Sequence, residues 1–563
     1  MTYDYIIVGG GTAGSVLANR LSADPKRHVL LIEAGPDMPH GHIPESLLDS
    51  YPGMAYTDPA FTWSQQRITT APLNGTGPRQ IKPYEQGRVL GGSSSINGQL
   101  ANRGSPEDYD EWKALGASGW GWESVLPYFR RLEHDLDFDG ELHGQGGAMP
   151  VRRVFPDLWA GHAKATAAAL AAQGMPYLPD QNASFEEGYF PLAITNAYER
   201  RVSASTAYLG PTVRLRKNLT VLANTEVSRL LFTKTKCTGV IATKGDQQTE
   251  FLSHQVILCC GALRSPALLL RSGIGPGQEL KDLGIDVLAD RPGVGKHLMD
   301  HPSVAIAAFL EKSARVNQLT RRHMVMGWRY TSSTGVAEND MFVVASGRSA
   351  WHAIGKQLGS MLVIVNKTFS CSGTVTLAEA DWRTPPKVDF DLLSDARDRI
   401  RLMEGFRRVA ALHEMPTLRA TTSHAFPAVL GAKARQFGKV NARNRALTAL
   451  AARMLDGPQP IRKFMMDYLI SGEYKLHELL ANDDALSNFV SDAAVGGWHA
   501  SCTCRMGSST DLSAVTDDEG RVYGVEGLRV VDASIFPTIP RANTNLPVLM
   551  IAEKLAESIR TAV

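Results

Sequence analysis

The chain has 563 residues, too many for one hydrophobic core, so two or more domains are expected. Its 44% apolar and 21% charged residues are ordinary for a globular protein, and a net charge of +2 with Lys and Arg spread along the chain argues against nucleic acid as the main partner. No apolar run is long enough to span a membrane, Met1 leads almost directly into the first strand without room for a signal peptide, and six cysteines in so long a chain make no disulfide framework, so the expected setting is the reducing cytoplasm.

Tyr5–Val8 is a short apolar run, the pattern of a buried parallel strand. Gly9, Gly11 and Gly14 follow at G-x-G-x-x-G spacing, and residues 15–22 continue as a helix with Val16, Leu17 and Leu21 on one face. His28–Ile32 is a second buried strand, ended by Glu33 and Ala34. Strand, glycines, helix, strand and terminal acid make a βαβ unit suited to a dinucleotide. Gly9 allows the turn, Gly11 lets backbone approach a pyrophosphate, and Gly14 lets helix and strand pack. The free N–H groups at Thr12 and Ala13 face the phosphates, and Glu33 can accept from a ribose hydroxyl. The unit alone leaves FAD and NAD equally open.

Residues 34–80 are rich in Pro, Gly and Asp, with the length of a lid or cofactor wrap. Phe61 and Trp63 are its bulky members, and each reads equally well as core or as a cofactor contact. The stretch 87–98 (GRVLGGSSSING) then exposes many backbone N–H and hydroxyl donors on a flexible loop, a nest for phosphate or a flavin edge.

Together with the βαβ unit, this stretch resembles the first signature of the glucose–methanol–choline (GMC) family of FAD-dependent alcohol oxidoreductases. The resemblance implies that Arg88, Leu90, Gly91, Gly92, Ser93, Asn97 and Gly98 line the FAD. Some members bond a His at the position of Ile96 covalently to the flavin. Ile96 cannot do so, which implies non-covalent FAD.

Residues 108–133 read as helices with aromatic core positions, 140–147 as a loop, and 158–173 as a helix ended by Gly174. Residues 219–222, 226–233 and 238–243 alternate as a β-meander. In the family this meander returns to the FAD domain, with Val227 at the adenine. Val256–Ala262 is another buried strand. Residues 261–275 match the second family signature, with Ala262 at the cofactor, Ser265 as N-cap, Pro266 at N1 and Gly273 as the helix stop. His297 and His301 stand at i, i+4, a spacing that can hold zinc on a helix, but no third ligand accompanies them. Cys502-Thr-Cys504 has no supporting cluster either, so no metal site is expected. Between about 303 and 490 the pattern is weak: strands at 342–345, 361–365 and 372–377, and helices at 395–413 and 442–454.

The chemistry gathers near the C-terminus. Residues 496–507 hold His499 in a loop dense with small residues and resemble the family motif H-x-x-G-T-C-R-M-G, whose His is the catalytic base. Cys502 replaces the Gly, at a position where Gly can hold φ > 0 and Cys usually cannot. A strand at 527–533 ends in Asp532 and Ala533, both placed at the cofactor by the resemblance. A helix begins near Leu546, with Asn545 as N-cap and Pro547 near N1, its positive end toward the flavin. Asn543 matches the family's second catalytic position.

The implied fold is α/β: a Rossmann-like FAD-binding domain (1–155, 200–302 and 495–563, with a wrap at about 35–85) interleaved with a substrate domain of antiparallel sheet plus helices (156–199 and 303–494). The implied reaction is oxidation of a primary alcohol. His499 takes the hydroxyl proton, Asn543 hydrogen-bonds the same oxygen, and hydride passes to flavin N5. Residues 365–367, 498–501 and 540–545 look most like bacterial oxidases of furanic and benzylic alcohols, which would make Val365 and Trp498 pocket walls, although Trp498 reads equally as core. O2 and a quinone-type acceptor both remain open, as does a non-redox lyase on the same fold.

Overall fold

The strand β1 (Thr2–Val8) is the centre of the first sheet. The structure, a computed structural model, describes residues 2–70, 79–317, 321–429 and 431–561, so the part of the expected wrap at 71–78 lies outside the described residues. Tyr5–Val8 is buried because both neighbours are strands and both faces are covered. β1 pairs in parallel with β2 (Val29–Ile32) on one side and with Gln247–Leu258 on the other. All four residues of β2 are buried. The parallel set runs Leu219–Leu222, β2, β1, Gln247–Leu258, Leu528–Val530. The helix α1 (Thr12–Leu21) buries Val16, Leu17 and Leu21 as expected. It packs beside the C-terminal helix Asn545–Thr561, where the Arg20 guanidinium donates twice to the buried Glu553 carboxylate, at 2.9 and 2.8 Å. The two ends of the chain therefore close one domain core.

The meander differs from the sequence expectation. Leu219–Leu222 is a parallel edge strand, not its first member. The antiparallel members are Glu226–Thr233, Lys236–Lys244 and the first half of Gln247–Leu258. That first half is polar and exposed, which hides it from a hydrophobic pattern. Both expected helix caps also move by one residue. Ser265 is the first helical residue after Arg264, because its hydroxyl is engaged by Asp532 and Cys260 instead of capping. Asn545 likewise begins the last helix, and its side chain accepts from Thr12.

The second sheet runs Thr422–Ala428, Pro302–Leu310, Leu358–Val365, Met341–Ser346, Met324–Tyr330, Gly188–Pro191, with Val495–Gly496 paired to Pro302–Leu310. All neighbours in it are antiparallel. The helix Ala396–His413 covers it, capped by Asp395, with Leu402, Phe406 and Val409 buried. Gly496 leads directly from this sheet into the His499 loop.

A Cβ on Gly14 would fall on the Gly9 carbonyl oxygen, so the first turn of α1 closes on the loop only without a side chain. Gly14→Ala is expected to destabilise the protein by about 3 kcal/mol or more, read as a fall in thermal midpoint with loss of bound flavin. An unchanged midpoint would contradict the close-packing role.

Candidate active site

The two glycine-rich motifs form one cradle. The Gly91 N–H donates to the Gly10 carbonyl at 2.7 Å, and a Cβ on Gly92 would lie 2.8 Å from the Gly11 Cα. Gly9, Gly91 and Gly92 hold φ of 100°, 93° and 55°, in the range that favours glycine. Above Gly11 the nearest atom to an added Cβ is 3.8 Å away, and α1 starts with no side-chain cap, so no capping side chain occupies the N–H groups of its first turn. Thr12 Oγ1 donates to Asn545 Oδ1 at 2.9 Å, which joins this helix start to that of the C-terminal helix, with Pro547 in its first turn. Glu33, followed by Ala34, is buried; its two carboxylate oxygens accept N–H from Gly10 (2.8 Å) and Gly35 (2.7 Å), and burial pushes its carboxyl up to about 7. Each oxygen keeps lone pairs for a hydroxyl.

The rest of the expected cofactor set surrounds this cradle. Leu90 is buried, and its carbonyl accepts from Ser95 and Ser205. Ser93 Oγ accepts the Gly87 N–H. Asn97 Oδ1 accepts from Arg201 at 2.9 Å, and the Gly98 carbonyl accepts from Arg322. Ile96 is buried with Phe61, Val89 and Leu47, so Phe61 is core. Trp63 is half-buried between two guanidiniums, Arg264 at 3.4 Å and Arg88 at 5.1 Å from its ring centre. Val227 lies in the meander beside Ala242. Asp532 accepts from the Gly261 N–H, Ser265 Oγ and the Ser534 N–H, with Ala533 next to it and the Ala262 carbonyl bonded to Thr503. A turn of backbone donors, a buried acid and two joined helix starts fit an anionic dinucleotide such as FAD.

His499 and Asn543 meet as expected: the Asn543 amide donates to His499 Nε2 at 2.8 Å. Asn543 is fixed by its own N–H on Asn102 Oδ1 (2.8 Å), and its loop by Arg541 on the buried Asp108 (2.9 Å). The partner on the other side of His499 is His301, with Nδ1 of each ring 2.9 Å apart. His301 Nε2 is 3.1 Å from the Pro540 carbonyl, which can only accept. His301 therefore carries its proton on Nε2 and offers Nδ1 as acceptor. His499 must donate from Nδ1, which leaves Nε2 as a bare lone pair toward Asn543. Burial lowers His301 to about 4. It lowers His499 well below 6.5, and His301 adds to that, so both rings are neutral at pH 7.

Asp300 holds the loop. Its Oδ1 accepts the N–H groups of His301, Gly497 and His499 at 2.8–3.0 Å, and Tyr84 reaches its Oδ2 at 3.3 Å. Burial pushes its carboxyl up to about 7 against the pull of those donors. Asp300, His301 and His499 bring three ligand-type atoms within 4.8 Å, but each is engaged in the hydrogen bonds just described. Sequence reasoning missed Asp300, His301, Tyr84 and Asn102. The only signal was the adjacent Asp300-His301 pair, at the end of the stretch that also holds His297. The helix suggested by the spacing of His297 and His301 is absent, since both lie in irregular chain and His297 has φ 59°.

Trp498 is not core. It is 42% exposed, donates from its indole to Glu85 at 3.1 Å and stacks on Tyr84 at 6.3 Å. Val365 is buried in the sheet core, and its neighbour Asn366 reaches the Arg541 carbonyl. Trp498 and Cys502 hold φ of 60° and 73°, so the loop keeps left-handed positions on both sides of His499 even where Cys replaces Gly.

The chain matches the family model of GMC oxidoreductases over residues 3–303 and 370–552. It belongs to that family: an FAD-dependent oxidoreductase acting on alcohol-type donors. It is 44% identical over 567 residues to the 5-(hydroxymethyl)furfural oxidase of Methylovorus sp. (strain MP688), covering 99% of both chains. It is 32% identical to human mitochondrial choline dehydrogenase, covering 99% of this chain and 90% of that one. The crystal structure of pyridoxine 4-oxidase from Mesorbium loti superposes with a TM-score of 0.81 at 26% identity, covering 100% of this chain and 99% of that one. Among the described residues, no helix is long and apolar enough to cross a membrane.

Two predictions come from this geometry. Cys502→Val, which forces a β-branched residue into the left-handed region, is expected to cost about 2 kcal/mol or more. Cys502→Gly, losing a small buried side chain but gaining backbone freedom, should stay within about 1 kcal/mol of the parent. Thermal unfolding of both variants checks this, and a valine variant as stable as the parent would show the strain to be absent. Because His499 is neutral by burial, a base at this position would be competent throughout neutral and alkaline pH. The limiting rate of flavin bleaching by alcohol should stay level above about pH 6 and fall only in more acid solution. A midpoint at or above about pH 7 would mean that the environment does not lower the base.

Proposed function

We propose that the chain oxidises a primary alcohol, aromatic or furanic, to its aldehyde, with O2 as electron acceptor. The observation that carries this reading is the unprotonated Nε2 of His499 in hydrogen-bond contact with the Asn543 amide, a base and a donor side by side, between which an alcohol oxygen could be held. Likeness to a furfural-alcohol oxidase over the whole length supports the substrate class and the acceptor. A quinone-type acceptor is the alternative, favoured by the likeness to choline dehydrogenases. The six cysteines are free, which supports a cytoplasmic setting.

We divide the chain into domains at 1–155, 200–302 and 495–563 against 156–199 and 303–494; the two sheets support this reading, with Gly188–Pro191 at the edge of the second and Val495–Gly496 reaching across to pair with it. In this reading the Gly9–Gly14 turn binds the pyrophosphate and Glu33 the ribose. Residues 88–98, Ala262, Asp532, Ala533, Asn545 and Pro547 surround the rest of the cofactor. FAD, when bound, supplies the hydride acceptor. Ile96, buried in an apolar cluster, offers it no nucleophile, so binding is non-covalent.

His499 Nε2 takes the hydroxyl proton, and Asn543 holds the oxygen from which it leaves. As the proton arrives, His499 becomes an imidazolium whose Nδ1–H still donates to His301. Asp300, within 4.8 Å of a ring nitrogen, favours that charge when its carboxyl is ionised. Trp498, pinned by Glu85 and Tyr84, forms the exposed wall of the site. General-base help of this kind is worth roughly 10²–10⁴-fold.

Anaerobic mixing with primary alcohols should bleach the flavin, and admitted air should restore it. His499→Ala should retain FAD yet bleach about 10²-fold or more slowly. Asn543→Ala should lose less, the equivalent of a hydrogen bond worth about 0.5–1.5 kcal/mol. Flavin that no alcohol bleaches would favour the lyase reading. Bleaching that air does not reverse, while a quinone does, would favour the dehydrogenase. Acid precipitation should leave all the flavin in the supernatant, and flavin retained in the pellet would overturn the non-covalent assignment.

A further inference from the structure

The segment 431–470 is unlike the rest of the surface in both charge and polarity. It holds eight lysines and arginines against two aspartates, in a chain whose total is only +2. Its two main helices, Ala442–Leu455 and Gln459–Met465, follow one another through a short turn. Their inner side is seated: Leu455, Met465 and Met466 pack on Phe309 and Phe426. Their outer side is apolar as well. Leu447, Leu450 and Met454 lie at i, i+3, i+7, and Phe464, Tyr468 and Leu469 continue the stripe, all 45–74% exposed. The Phe464 and Tyr468 rings stand 5.2 Å apart, so the stripe is continuous there. Single exposed apolar residues are ordinary, but a contiguous stripe on adjoining helices marks an interaction face.

The charges indicate what covers it. Lys439, Arg443, Arg445 and Arg453 are exposed and make no ion pair among the described residues. A second copy seated on the same face would bring two strongly positive surfaces together. An apolar stripe on helices flanked by unpaired cations is instead the pattern of an interfacial helix on anionic lipid.

We infer that this helical hairpin docks the protein on an anionic lipid bilayer. The helix that leads into this hairpin borders the active site. Arg435, on the helix Ala432–Gly438, pairs with Glu85 at 2.8 Å, and Glu85 accepts the Trp498 indole N–H. The Trp351 indole donates to the Gly438 carbonyl at 2.7 Å and fixes the same rim. Docking therefore turns the mouth beside Trp498 toward the bilayer, where apolar alcohols and lipid-soluble quinones collect. That consequence rests on the function proposed above, whereas the docking itself does not.

The test is flotation of the holoenzyme with vesicles of phosphatidylcholine alone or with about 30% phosphatidylglycerol. Binding should be at least about tenfold stronger on the anionic vesicles and should weaken with added salt. Arg443→Gln and Arg445→Gln should each lower it by about fivefold. The pair Leu450→Asp with Phe464→Asp should abolish binding while FAD content and bleaching by a soluble alcohol stay at parental values, which separates docking from folding and from the proposed activity. Absence of binding to either vesicle, equal binding to both, or binding that survives the double substitution would overturn the inference. So would a concentration-dependent dimer lost on Leu450→Asp, since a second copy would then own the face.

Discussion

The 2.9 Å contact between Nδ1 of His301 and Nδ1 of His499 has room for one proton, and the chemistry of the site depends on which ring carries it. The Pro540 carbonyl decides. A carbonyl cannot donate, so His301 must point its N–H there and present a lone pair to His499. From that single constraint follow the tautomer of His499, the bare Nε2 and the orientation of the Asn543 amide. Burial lowers the basicity of both rings, so the arrangement stays neutral until a substrate proton arrives. Pro540 and Asn543 share one loop, so the group that sets the tautomer and the group that partners the base move as one unit.

That unit is assembled from three distant parts of the chain and held by buried acids. Asp300 gathers the backbone of its own segment and of the His499 loop through three N–H donors. Asp108 does the same for the Arg541 loop. The His499 loop also carries left-handed φ at Trp498 and Cys502, which costs of order 1–3 kcal/mol each. Opposing that strain, the Cys502 and Cys504 N–H groups are tied to Ala533 and Ser534. These ties link the His499 loop to the turn after the strand Leu528–Val530, and thus to the sheet that carries the dinucleotide cradle. The His499 loop and the sheet of the glycine cradle are registered through backbone hydrogen bonds rather than through flexible side chains.

Much of this was readable in the sequence where one local pattern decides the structure. The βαβ unit, the second glycine motif and the helix expected at 395–413 all depend on neighbouring residues and stand where expected; the structure adds Asp395 as the cap of that helix. His499 and Asn543, singled out through family resemblance, lie in contact in the structure. His301 was not placed beside them, because its role comes from a tertiary approach that no spacing encodes, and the i, i+4 reading pointed to a helix that a left-handed His297 does not allow. The meander was misassigned for a related reason: the polar half of Gln247–Leu258 pairs on an exposed edge and leaves no hydrophobic signature. The seven-stranded antiparallel sheet is faint because its strands are separated by long irregular connections, with five between 302 and 428, one from 188–191 and one from 495–496. Both helix caps shifted by a residue because Ser265 and Asn545 had tertiary partners that outcompeted capping.

The central claim concerns a proton, and ring nitrogens report it directly. The measurement is the 15N NMR spectrum of histidine-labelled enzyme at pH 7, with the His499 signals identified by their loss in His499→Gln. The account predicts a neutral ring protonated at Nδ1, with Nε2 bare. A ring protonated at Nε2, or an imidazolium at neutral pH, would contradict it and would remove the base from the site.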